Sequence, residues 1–389
     1  MLNWVGQFGW RFDPPAGALR VKSLARLSVF GRRTVAIAAA LSLLGACAVG
    51  PDFSVPPAPP GSGYTPEAHL APTASADVPG GATQHFVMGH DIPGEWWKVF
   101  HSKAIDALIS EALHANPNLQ AAQAALWQAK ETLYASGGKL LPSIDANGSY
   151  TRQAFSPAEF GQPGPTQTFS LFQATVNVSY TPDVFGGQRR QIESNGALAE
   201  YQRFELEATY LTLTSNVVTA AIQEASLRGQ IQATTEIIKA ESDQLEVVRN
   251  QFQVGAANRA DVLTQESEVA TTQATLPMLE KQLEQQHHVI LALIGHFPSE
   301  KGHEHVMLAS LRLPISLPVS LPSQVVEQRP DVRAAQEQLH SASALIGVAV
   351  ANRLPQIPLT ASYGSAALTA AQLFTPATAI WSVAASGTQ

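Results

Sequence analysis

The sequence predicts a mainly α-helical chain with a membrane β-barrel contribution, built from long coiled-coil helical hairpins and four barrel strands. Three observations predict it: rows of apolar residues seven apart through 188–297, four runs of strict two-residue alternation, and a leader that ends at the only cysteine. A seven-residue apolar period is the pattern of coiled-coil packing, and a two-residue period that of a sheet with one wet face. With 389 residues the chain has room for two or three domains. A net charge of -7 and a pI near 5.9 leave no basic footprint for nucleic acid. Only 14% of residues are charged, so the helices are filled instead with Ala, Gln, Thr and Ser, which suit close helix packing.

Two helical runs meet at Val254-Gly255-Ala256-Ala257-Asn258. In the first, Tyr210, Val217, Glu224, Ile231, Ile238, Leu245 and Phe252 fall seven apart; in the second, Val262, Val269, Leu276, Leu283, Ile290 and Phe297 do. At 1.5 Å per residue the first run is a rod of roughly 100 Å. Gly255 permits the turn between the two, and Asp261 can cap the returning helix. Pro277, inside the second run, is expected to bend the helix or remove one hydrogen bond.

Upstream, Arg32 and Arg33 precede an apolar run, Val35 to Leu44, then Gly45-Ala46-Cys47. These are the parts of a secretory signal, and the run is too short to span a membrane. The ending is similar to a bacterial lipobox, so residues 1–46 are expected to be a signal peptide and Cys47 the lipidated mature N-terminus. Ala48 rather than Asp after the cysteine implies delivery to the outer membrane. Residues 47–94 are rich in Pro, Gly, Ala and Ser and read as an extended tether. Trp96 and Trp97 open a helical stretch from Ile105 to Leu133. They are read as a seal on the edge of a helical domain, with a ligand-stacking site as the alternative.

After Gly137-Gly138 the period becomes two. Ile144, Ala146, Gly148 and Tyr150 alternate with Ser143, Asp145, Asn147 and Ser149; Phe172, Ala174, Val176, Val178 and Tyr180 alternate with Gln173, Thr175, Asn177 and Ser179. Each run is ~10 residues, enough to cross a bilayer as a tilted strand, although a soluble hairpin alternates in the same way. The chain then repeats itself. Asn116-Pro117 through Gln123 matches Arg329-Pro330 through Gln336 without a gap, and the same offset pairs Leu141-Pro142 with Leu354-Pro355 and Tyr150 with Tyr363. Further alternating runs are Ile357, Leu359, Ala361 and Tyr363, then Trp381, Val383 and Ala385. The repeats are 95–300 (helix, two strands, long hairpin) and 301–389, which ends at Gln389 after helix and strands. The expectation is a truncated second repeat that, lacking its hairpin, conducts poorly alone.

Together the Cys47-Ala48-Val49-Gly50-Pro51-Asp52-Phe53 segment, the Trp pair, Asn116-Pro117, Leu141-Pro142-Ser143, Asp183-Val184-Phe185-Gly186-Gly187 and Arg329-Pro330-Asp331-Val332-Arg333-Ala334-Ala335 resemble the TolC-type outer membrane efflux proteins. The resemblance is to the lipoprotein (NodT-type) branch that serves RND multidrug pumps. It implies a homotrimer in which each protomer gives four strands to one barrel, above a periplasmic tube of helices. It also implies hairpin tips that dock on a periplasmic adaptor, an inner-membrane RND transporter that supplies the energy, and contact with outer membrane lipid. The tip positions carried over are Val254, Gly255, Ala256, Asp261, Val262 and Leu263. Ala256 stands where the family has a larger apolar residue, and Ala260 where it has a hydroxyl.

Other chemistry is thin. His287-His288, His296, His303 and His305 invite a metal reading, but adjacent histidines point to different sides of a helix and no ligand spacing completes a site. No phosphate loop, nucleophile elbow or catalytic carboxylate pair stands out. The expectation is no enzyme and no cofactor beyond a covalent lipid on Cys47. The function expected is a passive outer membrane channel subunit of a tripartite efflux system; the alternative is a structural periplasmic coiled-coil lipoprotein without a pore.

Overall fold

The computed structural model describes residues 48–57, 71–77, 81–89, 92–161, 163–300, 302, 304–319 and 322–389. The leader, Cys47 and His303 lie outside the described residues. In chain order the elements are β1 (His85–Met88), α1 (Lys103–Ala115), α2 (Pro117–Gly138), β2 (Ser143–Phe155), β3 (Gln167–Tyr180), α3 (Gly187–Gln253), α4 (Arg259–Leu293), β4 (Ser316–Val319), α5 (Pro322–Gln328), α6 (Pro330–Ala351), β5 (Leu359–Ala367) and β6 (Ala379–Ala385). A long helical hairpin and four strands of one sheet are thus both present, as the resemblance implies. The internal repeat is visible in the bounds: α2 moved along by the repeat offset coincides with α6.

Among the described residues two compact units are present, one within 57–126 and 202–334, the other of 48–56, 127–201 and 335–389. Each draws on both repeats. In the first, Trp97, Ile105, Ile109, Val217, Ala221, Ile290 and Ile294 form the buried core. Small residues on α3 (Ala220, Ala221, Ala225) let the helices approach closely. Trp97 does seal this core: it is 4% exposed and its ring lies 6.2 Å from that of Tyr210. Burial, and then the charge of Glu95, push the Tyr210 phenol up to about 12, so it stays neutral.

Helix α1 starts at the N-cap Ser102, and its stretch divides from α2 at Asn116. Pro117 cannot continue the first helix but opens the second, where its missing N–H costs nothing. The buried Asn116 side chain accepts from the backbone N–H groups of Asn118 and Leu119 and donates to the Leu293 carbonyl. It thereby caps α2 and ties it to the end of α4. Helix α4 runs through Pro277 without interruption and stops at Leu293, so Phe297, the last member of the heptad row, lies beyond it and is exposed.

The tether is not free along its whole length. His85–Met88 pairs in parallel with Ser316–Val319 as a two-stranded sheet. In the second unit the strands form one antiparallel sheet in the order β2-β3-β5-β6. The two repeats thus meet where β3 pairs with β5.

Candidate functional site

At the hairpin tip, α3 closes with the Gly255 N–H bonded to the Phe252 carbonyl (3.1 Å) and the Ala256 N–H bonded to that of Gln251 (2.8 Å). This is a Schellman motif, and it needs the left-handed backbone that Gly255 adopts at φ 77°. The return helix begins with a capping box: Asn258 Oδ1 accepts from the Asp261 N–H (3.0 Å) and Asp261 Oδ2 from the Asn258 N–H (2.9 Å). The N-cap is Asn258, and Asp261 caps the returning helix from three residues in, as the reciprocal member of the box. A turn closed from both sides holds its shape while its side chains stay free. Val254 is 80% and Leu263 52% exposed, Ala256 and Asp261 are exposed, and Val262 is half-buried. Below the tip, Arg249 on α3 reaches Glu266 on α4 (2.6 Å), and Leu245 and Val269 are buried.

The sheet separates its two faces. Register pairs Ile144 with Val178, Ala146 with Val176, Val176 with Tyr363, and Tyr363 with Trp381, so these share one face. Ile144, Tyr150, Tyr363, Trp381 and Val383 on it are more than half exposed. The opposite face carries Asp145 opposite Asn177, Thr360 opposite Ser179, and Ser362 hydrogen-bonded to Ser382 (2.8 Å). At 13 and 14 residues, β2 and β3 exceed the about 9–11 that a tilted strand needs to cross a bilayer. The surplus lies past the Tyr150–Phe172 pair, where Arg152, Thr168 and Ser170 take over the formerly apolar face.

Residues 48–53, directly after Cys47, are clamped. The Val49 N–H donates to the Phe185 carbonyl (3.1 Å). Arg190, 7% exposed, donates to the carbonyls of Val49 and Gly50 and to the Asp52 carboxylate (2.6 Å). Hydrogen bonds to Glu193 and then Asp52 hold the guanidinium pKa above its usual range. The Phe53 ring stacks on His340 at 4.4 Å. Gly50 lies against Gly347, and a Cβ on Gly347 would come within 2.7 Å of the Val49 carbonyl oxygen. Asp183, first residue of the Asp-Val-Phe-Gly-Gly motif, accepts from the N–H groups of Gln188 and Arg189 and so caps α3.

The sequence signature described as "Outer membrane efflux protein" matches residues 108–296 and 321–389. This chain belongs to the outer membrane efflux protein family. It is 29% identical over 324 residues to the pyoverdine export outer membrane protein OpmQ of Pseudomonas putida, covering 82% of this chain and 66% of that protein. It is 32% identical over 289 residues to OpmQ of Pseudomonas aeruginosa, covering 72% and 60%. The chain thus spans somewhat less than two thirds of the length of these relatives. Its fold matches the outer-membrane channel OprN with a TM-score of 0.74 at 24% identity, over 88% of this chain and 73% of that one.

Within this family architecture the described histidines of this stretch lie against carboxylates and against one another. Glu224, 1% exposed, accepts from Arg228 (2.9 Å) and lies 3.1 Å from His305 Nδ1 and 3.8 Å from His287 Nδ1. His296 meets Glu111 (3.0 Å), and His288 lies beside His287. Among the described residues no three His, Cys, Asp or Glu side chains are arranged to hold a metal ion, and no helix is long and apolar enough to cross a membrane. Two site residues escaped the sequence reading. Asn258 carried a usable signal, since Asn-x-x-Asp ahead of an apolar run is a capping box. Arg190 carried none for its clamp, because Val49, Gly50 and Asp52 sit 138–141 positions away.

Proposed function

We propose that this chain is a subunit of a passive outer-membrane conduit in a tripartite efflux system. The observation that carries this is one chain holding both a sheet with an apolar and a polar face and a long helical hairpin with a rigid, exposed tip. A four-stranded sheet leaves β2 and β6 with free edges, and pairing between three copies satisfies their backbone groups as one closed barrel. The apolar face then meets lipid and the polar face lines water. The tip Val254–Leu263 contacts a periplasmic adaptor, and an inner-membrane RND transporter supplies the energy. The chain performs no catalysis and needs no cofactor beyond the lipid. Trypsin-resistant trimers from outer membranes, with conductance in planar bilayers, separate this reading from a periplasmic tether. A trypsin-sensitive monomer without conductance would favour the periplasmic tether instead.

The leader 1–46 is removed and Cys47 carries the lipid in the same reading. Mass spectrometry of the membrane fraction should find an acylated N-terminal peptide starting at Cys47. An intact peptide across Ala46-Cys47 in mature protein would contradict it. The Arg190 clamp supports this reading, because it fixes the segment that leads directly from that residue.

At the tip, Gly255→Trp is expected to abolish export while trimers still form. A bulky L residue at φ 77° costs roughly 1–2 kcal/mol in a left-handed conformation and deforms the turn, although space for the ring exists. Photocrosslinking from Ala256 should capture the adaptor; loss of trimers in Gly255→Trp, or no periplasmic adduct at 256, would count against this role.

A further inference from the structure

We propose that the connection between β5 and β6 is a rim hook that seats Phe374 in lipid at the hydrocarbon–headgroup boundary. The inference rests on reading the sheet as a wall of an outer-membrane barrel. A loop at the end of a sheet ordinarily stands off into water. This one folds back onto the apolar face. Ser365, two residues after Tyr363 and on the same face, is 3% exposed, whereas Tyr363 is 67% exposed. What covers Ser365 is the loop itself: its Oγ accepts from the Phe374 N–H (3.1 Å) and lies 2.7 Å from Thr378 Oγ1. Thr378 Oγ1 is in turn 3.1 Å from the Gln372 carbonyl oxygen, which also accepts from Thr375 Oγ1 (3.0 Å). With Ser365 donating to Thr378 and Thr378 to Gln372, every hydroxyl in this knot is satisfied.

The knot holds Phe374 at φ 69°, a left-handed conformation that among the described non-glycine residues only His101 shares. Such strain persists only where surrounding structure imposes it. Here it buries nothing, for the Phe374 ring is 75% exposed and neighbouring Leu368 58%. An ordered loop that spends strain to present a bare aromatic makes sense where the surroundings are apolar. The register gives the level. Ser365 pairs with Ala174 and Ala367 with Phe172, so Phe374 lies over the rungs next to the Tyr150–Phe172 pair, whose rings are 4.8 Å apart. Those rungs are where the apolar face ends, the level at which membrane barrels carry aromatic girdles. Lipid rather than a second copy is the occupant, because copies would join through the free edges of β2 and β6, and the hook sits over β5, one strand in.

The test places the photoreactive residue p-benzoylphenylalanine at position 374 or, separately, at 363, in outer membranes of cells expressing the chain, with adducts identified by mass. Lipid adducts are expected at both positions. Ser365→Ala should lower the lipid adduct at 374 at least threefold and leave that at 363 unchanged. Lipid at 363 with only protein adducts, or none, at 374 would overturn the hook and leave the barrel standing. Equal labelling at 374 with and without Ser365→Ala would also overturn it. Absence of lipid adducts at 363 would overturn the barrel reading and the hook with it.

Discussion

Val176→Arg is expected to destabilise the membrane-inserted protein by about 2–4 kcal/mol, and Asn177→Arg by no more than about 1 kcal/mol. Val176 stands in the middle of the apolar face, with Ala146 and Tyr363 directly across on the neighbouring strands. A guanidinium there must leave water for hydrocarbon, and it is too deep to reach either interface cheaply. Asn177 pairs with Asp145 on the polar face, where an added cation gains a carboxylate neighbour and keeps its hydration. The two positions are adjacent on one strand that is paired on both sides, so the comparison isolates the face each side chain occupies. Folded fractions in lipid vesicles across a urea series give the difference directly. Equal tolerance of the two substitutions would show that neither face meets lipid.

Arg228→Met is expected to cost about 2 kcal/mol, below the roughly 3–5 kcal/mol range for a fully buried ion pair because Arg228 is partly exposed. It removes the 2.9 Å hydrogen bond that Arg228 gives the carboxylate of Glu224, a residue only 1% exposed, beside which His305 and the more distant His287 also lie. The position of Glu224 sharpens the point: it occupies a heptad site where every other member of the row from Tyr210 to Phe252 is apolar. Glu224→Leu together with Arg228→Met should therefore recover more than half of the loss, because the buried charge then goes with its partner. Thermal unfolding followed by helical circular dichroism measures both variants. A loss below about 1 kcal/mol for the single change would mean that water already solvates the carboxylate.

What the chain's own order of residues determined is local. Seven-residue rows produce α3 and α4, two-residue alternation produces β2, β3, β5 and β6, and Gly255 places the tip between helices. Each follows because a helix or strand must turn its apolar residues to one side, and that requirement is written in spacing alone. The repeat offset adds the matching bounds of α2 and α6. Tertiary structure decided the pairings that spacing does not encode. β3 joins β5 across nearly 180 residues of chain, β1 finds β4 far downstream, and Arg190 finds the carbonyls of Val49 and Gly50. It also folded Phe374 over Ser365, since a single aromatic residue has no period to announce it. Backbone donors and acceptors at a strand edge are chemically alike in every sequence, so which edge meets which is settled by the packing of whole elements.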